Sequence, residues 1–165
     1  HVAGGARLAD RQDGRRGAVA HYIEEELGHH GWILNDIAAA GGDADAVRDS
    51  QSDFDTGVMV AYAYDTVMRR NPVGLFGMVY VLEGTSVSLA SNAARALQTA
   101  LDLPPSAFTY LSSHGALDVE HIGDFERLVN RLDTADERDS VVQNARAFFR
   151  LYGNVFRSID LQENT

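Results

Sequence analysis

The sequence predicts an all-α fold, a helical bundle, and three observations carry that prediction. Long segments rich in Ala, Leu, Ile and Glu show continuous helical patterns. Turn-forming residues separate these segments, at Gly41-Gly42, Asn71-Pro72 and Leu103-Pro104-Pro105. Nowhere do β-branched residues alternate with polar ones over the length of a strand. The 165 residues suit one helical domain, 1–165.

Five helices are predicted, at about 17–40, 53–70, 73–101, 106–132 and 137–159. The first is closed by Gly41-Gly42, and the polar segment 42–52 is a loop. Asp53 or Asp55 begins the second helix, and Asn71-Pro72 interrupts it after Arg69-Arg70. Ser106 caps the fourth helix, and residues 133–136 form the turn before the fifth.

Composition excludes several classes of chemistry. The chain has no cysteine, which removes disulfides, iron–sulfur clusters, thiolate zinc sites and a cysteine nucleophile. All 14 positive side chains are arginine, so Schiff-base chemistry at lysine is excluded too. A net charge of −10 without a basic stripe argues against a nucleic-acid partner.

The sequence shows no signal peptide, and its most apolar run, from Val73 to Leu82, is too short for a membrane span. We therefore expect a cytoplasmic protein without a membrane partner. Because the chain begins at His1 rather than Met, we also expect a longer natural protein with further N-terminal helix.

The positions of the histidines are the most informative feature. His114, Asp118 and His121 have spacings of four and three, which place all three on one face of a helix. Apolar residues share this face, among them Tyr110 and Phe125, so the three polar side chains should point into the core. Imidazole and carboxylate groups together suit iron, manganese or zinc.

Glu83 lies in a segment that is apolar almost all the way round, from Leu75 to Leu82. A lone buried carboxylate is costly, so Glu83 must be protonated, paired or bound to a metal. The alternative to a metal site is a purely structural ion pair between Glu83 and an arginine of another helix. Gly77 and Gly84 flank this region and are expected to permit close helix contacts.

The first helix supplies a third cluster. Glu26 and His29 are three residues apart, the spacing of ligand pairs in metal-binding helical bundles. Glu25 competes with Glu26, because it lies four residues before His29. His21 and His30 are expected outside the ligand set. Three carboxylates and three imidazoles are enough ligands for two first-row metal ions. The candidate ligands are Glu26, His29, Glu83, His114, Asp118 and His121.

The sequence resembles the heme-oxygenase-like diiron oxidases and oxygenases, within the wider TenA/PqqC-like superfamily. The likeness is carried by VLEGTS around Glu83, SSHGALDVEHI from Ser112 to Ile122, and EEELGHHGWILNDI from Glu24 to Ile37. It extends over about residues 20–155 and implies a heme-oxygenase-like helical bundle.

By this resemblance the protein is an iron- and O2-dependent oxidoreductase that binds two non-heme irons, with manganese as an alternative metal. His29, Glu83, His114, Asp118 and His121 would be ligands. The first carboxylate is open: some members have a glutamate seven residues before the first histidine, where Tyr22 stands here, and others have it at the position of Glu26. A small organic substrate and a homodimer are expected.

Two alternatives remain at this point. The chain could be a metal-free or heme-binding TenA/PqqC-like relative, in which the inward carboxylates pair with arginines. It could also be a non-catalytic helical interaction protein that has kept the fold and lost turnover.

Overall fold

The computed structural model describes residues 13–159, except the side chains of residues 13–16, 18 and 115–120. Within these residues the chain forms helices and no strand, so the all-α prediction is confirmed. Between residues 13 and 159 there are seven α-helices: α1 (Asp13–Glu26), α2 (His29–Ala39), α3 (Ala44–Asp49), α4 (Phe54–Arg69), α5 (Leu75–Leu101), α6 (Thr109–Val129) and α7 (Ala135–Arg157). Short 3-10 turns, Pro72–Gly74 and Pro105–Ala107, precede α5 and α6.

The predicted helix 17–40 is wrong in one respect, because it is broken into α1 and α2. Gly28 stands at the break with φ of 93°, a left-handed conformation that glycine adopts without steric cost. The amide of Gly31 then bonds to the Gly28 carbonyl and begins α2. Glu26 and His29 therefore lie on opposite sides of a bend rather than on one continuous helix.

Side-chain caps mark the starts of α3, α4 and α7. The loop predicted at 42–52 contains α3, capped by Asp43, which accepts a hydrogen bond from the amide of Ala46. Asp53 caps α4, and the hydroxyl of Thr56 that bonds to this carboxyl lowers its pKa. Thr134 and Glu137 form a capping box, so α7 begins slightly before its predicted start.

Helix α5 is the centre of the bundle and packs along both α6 and α7. Its approach to α7 depends on Gly77: a Cβ there would meet the Val141 carbonyl oxygen and lie 2.5 Å from the Ala145 nitrogen. Gly84 differs, because a Cβ there would meet only the Ile122 side chain at 3.9 Å. The expected close helix contact thus occurs at Gly77 and not at Gly84.

The remaining helices surround this centre. α4 lies against α7, where the Thr66 hydroxyl donates to the Asn144 side chain at 3.0 Å. α2 lies against α6. The apolar core draws buried residues from α1, α5, α6 and α7, from the 3-10 turn before α5 and from the turn after α6: Val19, Val73, Phe76, Val79, Phe125, Leu132 and Val141.

The segment Pro72–Leu101, which contains α5, is long and apolar enough to cross a membrane by length and composition, and no other described helix is. The apolar run from Val73 to Leu82, which is too short to span a membrane, is the first part of this longer segment. A core helix of a soluble protein passes the same test, and 44% of the apolar window is buried inside the bundle. The absence of a membrane partner stays a prediction.

The two glycines of α5 make a matched pair for testing this packing. Gly77→Ala should lower the free energy of unfolding by about 1–3 kcal/mol, because the new methyl group meets α7 backbone that cannot rotate away. Gly84→Ala should be neutral or stabilising by up to about 1 kcal/mol, because it adds helix propensity where there is space. Urea unfolding followed by circular dichroism measures both. Equal destabilisation by the two changes would contradict the packing argument.

Candidate metal centre

Four helices bring acidic and imidazole side chains to one point inside the bundle. Glu26 ends α1, His29 begins α2, Glu83 lies in the middle of α5, and α6 presents His114 and His121. Glu83, His114 and His121 are between 5% and 8% exposed, which is unusual for residues of these types. Glu26 and His29 are partly buried.

These side chains form two groups of potential metal ligands. The first, here called the tryptophan-side group, consists of Glu26, His29 and His114. His29 Nδ1 lies 3.1 Å and His114 Nε2 lies 3.9 Å from Glu26 Oε2. Trp32 stacks on the His29 ring with 4.2 Å between ring centroids, and it meets the His114 ring edge-on at 5.8 Å.

The second, the pocket-side group, consists of Glu26, Glu83 and His121. His121 Nδ1 lies 3.1 Å from Glu83 Oε2 and 3.8 Å from Glu26 Oε1. Tyr22 donates its hydroxyl to Glu83 Oε1 and packs edge-on to the His121 ring.

Glu26 belongs to both groups and uses a different oxygen toward each. Oε2 faces His29 and His114, while Oε1 faces His121. Within each group one donor atom from every residue lies within 4.8 Å of the others. Two donors that each bind an ion at about 2.1 Å lie at most about 4.2 Å apart, so small side-chain adjustments would close either group around an ion.

Polar contacts of their outer nitrogens orient two of the imidazoles, a hydrogen bond in His114 and an ion-pair contact in His121. His114 Nδ1 lies 3.0 Å from the Tyr110 carbonyl oxygen, which can only accept, so Nδ1 carries the hydrogen and Nε2 is left to face Glu26. His121 Nε2 lies 3.4 Å from Glu25 Oε2, while its Nδ1 faces the other carboxylates. Partners of this kind fix the tautomer and ring orientation of metal-binding histidines.

The structure thus brings together five of the six residues that the sequence predicted. The sixth, Asp118, lies on α6 between His114 and His121, but its side chain falls outside the described residues. Glu25 lies outside both groups and contacts the outer nitrogen of His121. His21 and His30 are exposed, as expected for residues outside the ligand set.

Sequence reasoning missed Asp36, which is only 9% exposed. Its carboxylate accepts hydrogen bonds from the Thr109 hydroxyl and, at 2.8 Å, from the Tyr110 amide. One unbroken helix over 17–40 would turn the face of Glu26 and His29 through Ile33, whereas in the structure Ile33 is 41% exposed and Asp36 is buried. The available signal was the spacing of seven residues from His29 to Asp36, which places both on one face of α2.

A cavity of about 260 Å³ lies beside the pocket-side group and shares Tyr22, Glu25 and His121 with the centre. Its other lining residues are apolar side chains of α1, α5 and α6 and four polar side chains, one on α1, two on α6 and one just after α6. They are Val19, Leu75, Phe76, Val79, Phe125 and Leu128, together with His21, Asp124, Arg127 and Arg131. Phe76 of α5 lines the cavity, whereas Tyr80, one turn further along, is 53% exposed and packs on Phe125.

Comparison with known proteins assigns the chain to a family. Residues 1–153 match the Haem_oxygenas_2 family, which is described as an iron-containing redox enzyme. No match was found among curated proteins. A solved structure of a domain of unknown function with a heme oxygenase-like fold, from Shewanella denitrificans OS217, is similar to this chain with a TM-score of 0.82 and 26% identity. The alignment covers 94% of this chain and 67% of that chain.

The predicted heme-oxygenase-like bundle is therefore confirmed. The family match takes in nearly the whole chain and agrees with a site built from carboxylate and imidazole groups. The chain belongs to the Haem_oxygenas_2 family of iron-containing redox enzymes.

Proposed function

We propose that the protein is a non-heme diiron oxidase or oxygenase that uses O2 to oxidise a small organic substrate. The observation that carries the proposal is the position of Glu26, whose two oxygens face two separate groups of buried ligands. A carboxylate shared in this way suits a pair of metal ions about 3.5–4 Å apart. The proposed ligands are Glu26, His29, Glu83, His114, Asp118 and His121.

The donor set supports iron, with manganese as the alternative metal. Oxygen and imidazole ligands suit these ions, and the chain has no thiolate to favour a softer one. Bound iron would supply the electrons that reduce O2. A heme-binding relative needs one axial histidine and would leave the buried carboxylates without a role, so two non-heme irons explain more of the site.

The chain's own residues prepare the site for a metal pair. Burial inside the bundle keeps water away from Glu83, while the hydroxyl of Tyr22 holds one of its oxygens. The Tyr110 carbonyl and the Glu25 carboxylate orient the rings of His114 and His121. The ligands are therefore largely positioned before a metal arrives, which lowers the conformational entropy lost on binding.

The cavity beside His121 is the proposed substrate site. Six apolar side chains line it, and α6 adds charged groups. Such walls favour a small molecule with an apolar body, held next to the pocket-side group rather than the tryptophan-side group.

Removal of the shared carboxylate should abolish both metal positions. Glu26→Ala should reduce bound Fe(II) from about two ions per chain to a small fraction of one, because each group loses a ligand. Glu24→Ala removes the same charge from an exposed neighbouring residue and serves as the control. Anaerobic equilibrium dialysis with iron analysis measures both variants. Retention of one full iron by Glu26→Ala would contradict the shared role.

Iron content of the native protein tests the proposal as a whole. Anaerobic loading should give about two irons per chain, falling to one or none in His114→Ala, and O2 should then produce an optical transient. The heme alternative is tested in parallel by adding hemin and recording the Soret band. A folded protein that binds hemin but no Fe(II) above background would overturn the diiron proposal.

The substrate assignment is tested by narrowing the cavity. Val79 lines it on α5, whereas Val87, two turns further along α5, is 37% exposed and is not among its lining residues. Val79→Phe should weaken binding of the apolar dye 8-anilinonaphthalene-1-sulfonate by about tenfold or more, with iron content unchanged. Val87→Phe should change neither. Unaltered dye binding in Val79→Phe would remove this cavity as the substrate site.

A further inference from the structure

Asp36 supplies a helix cap that α6 does not provide for itself. The residue at the N-cap position of α6, Phe108, makes no side-chain capping bond. The carboxylate of Asp36 instead reaches across from α2 and accepts from the Thr109 hydroxyl and the Tyr110 amide. Its negative charge is also favourable at the positive end of the α6 dipole. A residue of one helix thus completes the first turn of another.

This contact joins the two helices that carry the tryptophan-side histidines. His29 lies seven residues before Asp36 on α2, and His114 lies one turn after Tyr110 on α6. Tyr110 connects the two sides directly: its amide donates to Asp36, and its carbonyl accepts from His114 Nδ1 at 3.0 Å. The ring of Tyr110 also packs on that of His114, with 4.1 Å between centroids.

We propose that Asp36 is a positioning residue that sets the separation between His29 and His114 and so holds the tryptophan-side group ready for metal. The two rings are 4.8 Å apart and nearly perpendicular, an arrangement that needs both helices in register. The inference rests on the proposed function for its metal. The contact of Asp36 with Thr109 and Tyr110 itself is made without a metal. The pocket-side group is held by other contacts, from Tyr22 and Glu25.

Trp32 makes the proposal measurable at one metal position. It is the single tryptophan of the chain, and it stacks on His29. Fe(II) bound at the tryptophan-side group should quench its fluorescence. The measurement is made in a His121→Ala background, which lacks a pocket-side ligand, so that the quenching reports the tryptophan-side group. Total bound iron, measured by dialysis with His121 intact, then gives occupancy of the pocket-side group by difference. The native protein, Asp36→Ala, Asp36→Asn and Asp53→Ala are compared under anaerobic conditions.

Asp36→Ala should weaken Fe(II) binding at the tryptophan-side group by about 10- to 100-fold, the usual effect of losing a residue that orients a ligand. Binding at the pocket-side group should change by less than about threefold. Asp36→Asn should recover most of the affinity, because its amide oxygen still accepts from the Tyr110 amide. Asp53→Ala removes a comparable cap from α4, away from the site, and should leave both affinities intact.

Equal weakening at both positions, or an equal loss in Asp53→Ala, would overturn the proposal by showing a general loss of stability. If Asp36→Ala does not fold, Thr109→Val removes one of the two contacts and should give a smaller loss of Fe(II) affinity at the same position.

Absence of quenching in the native protein would instead count against the diiron function. In that case hydrogen exchange tests the contact of Asp36 with α6 directly. The Tyr110 amide should exchange at least tenfold faster in Asp36→Ala than in Asp36→Asn or Asp53→Ala, because only Asp36→Ala removes its acceptor. Equal rates in the three variants would overturn the proposal.

Discussion

Burial of Glu83 is the constraint around which the rest of the structure is arranged. α5 is the apolar centre of the bundle, and a carboxylate in its middle would cost several kcal/mol if it had no partner. Tyr22 from α1 and His121 from α6 meet its two oxygens. The polar centre therefore requires helices on either side of α5 to stay in register, and the ligands converge as a consequence of that requirement.

The bend at Gly28 allows one carboxylate to serve both ligand groups. On an unbroken helix, side chains three residues apart would lie on one face and point to the same place. The left-handed glycine turns α2 away from α1, so Glu26 remains over the centre while His29 approaches it from a different direction. One oxygen of Glu26 can then face His29 and the other His121.

Much of this centre could be predicted from the sequence because it depends on local spacing and on the cost of burying charge. The helical spacing of His114 and His121 and the apolar surroundings of Glu83 are of this kind. Asp36 could not be predicted in the same way, because its partners are 73 and 74 residues away along the chain. The break at Gly28 was missed for a related reason: glycine inside a helical pattern is tolerated, and only the tertiary structure decides between a continuous helix and a bend.

The two ligand groups have different surroundings, and this difference bears on how the site would work. Aromatic rings pack against the tryptophan-side group, where Trp32 covers His29 and Tyr110 covers His114. The pocket-side group instead borders a cavity through His121. Enclosure by rings favours fixed coordination, while an adjacent cavity leaves room for a substrate. A shared carboxylate between them would couple the two positions electronically while leaving substrate contact to one of them, which explains why a single chain would hold two similar ligand sets in unlike environments.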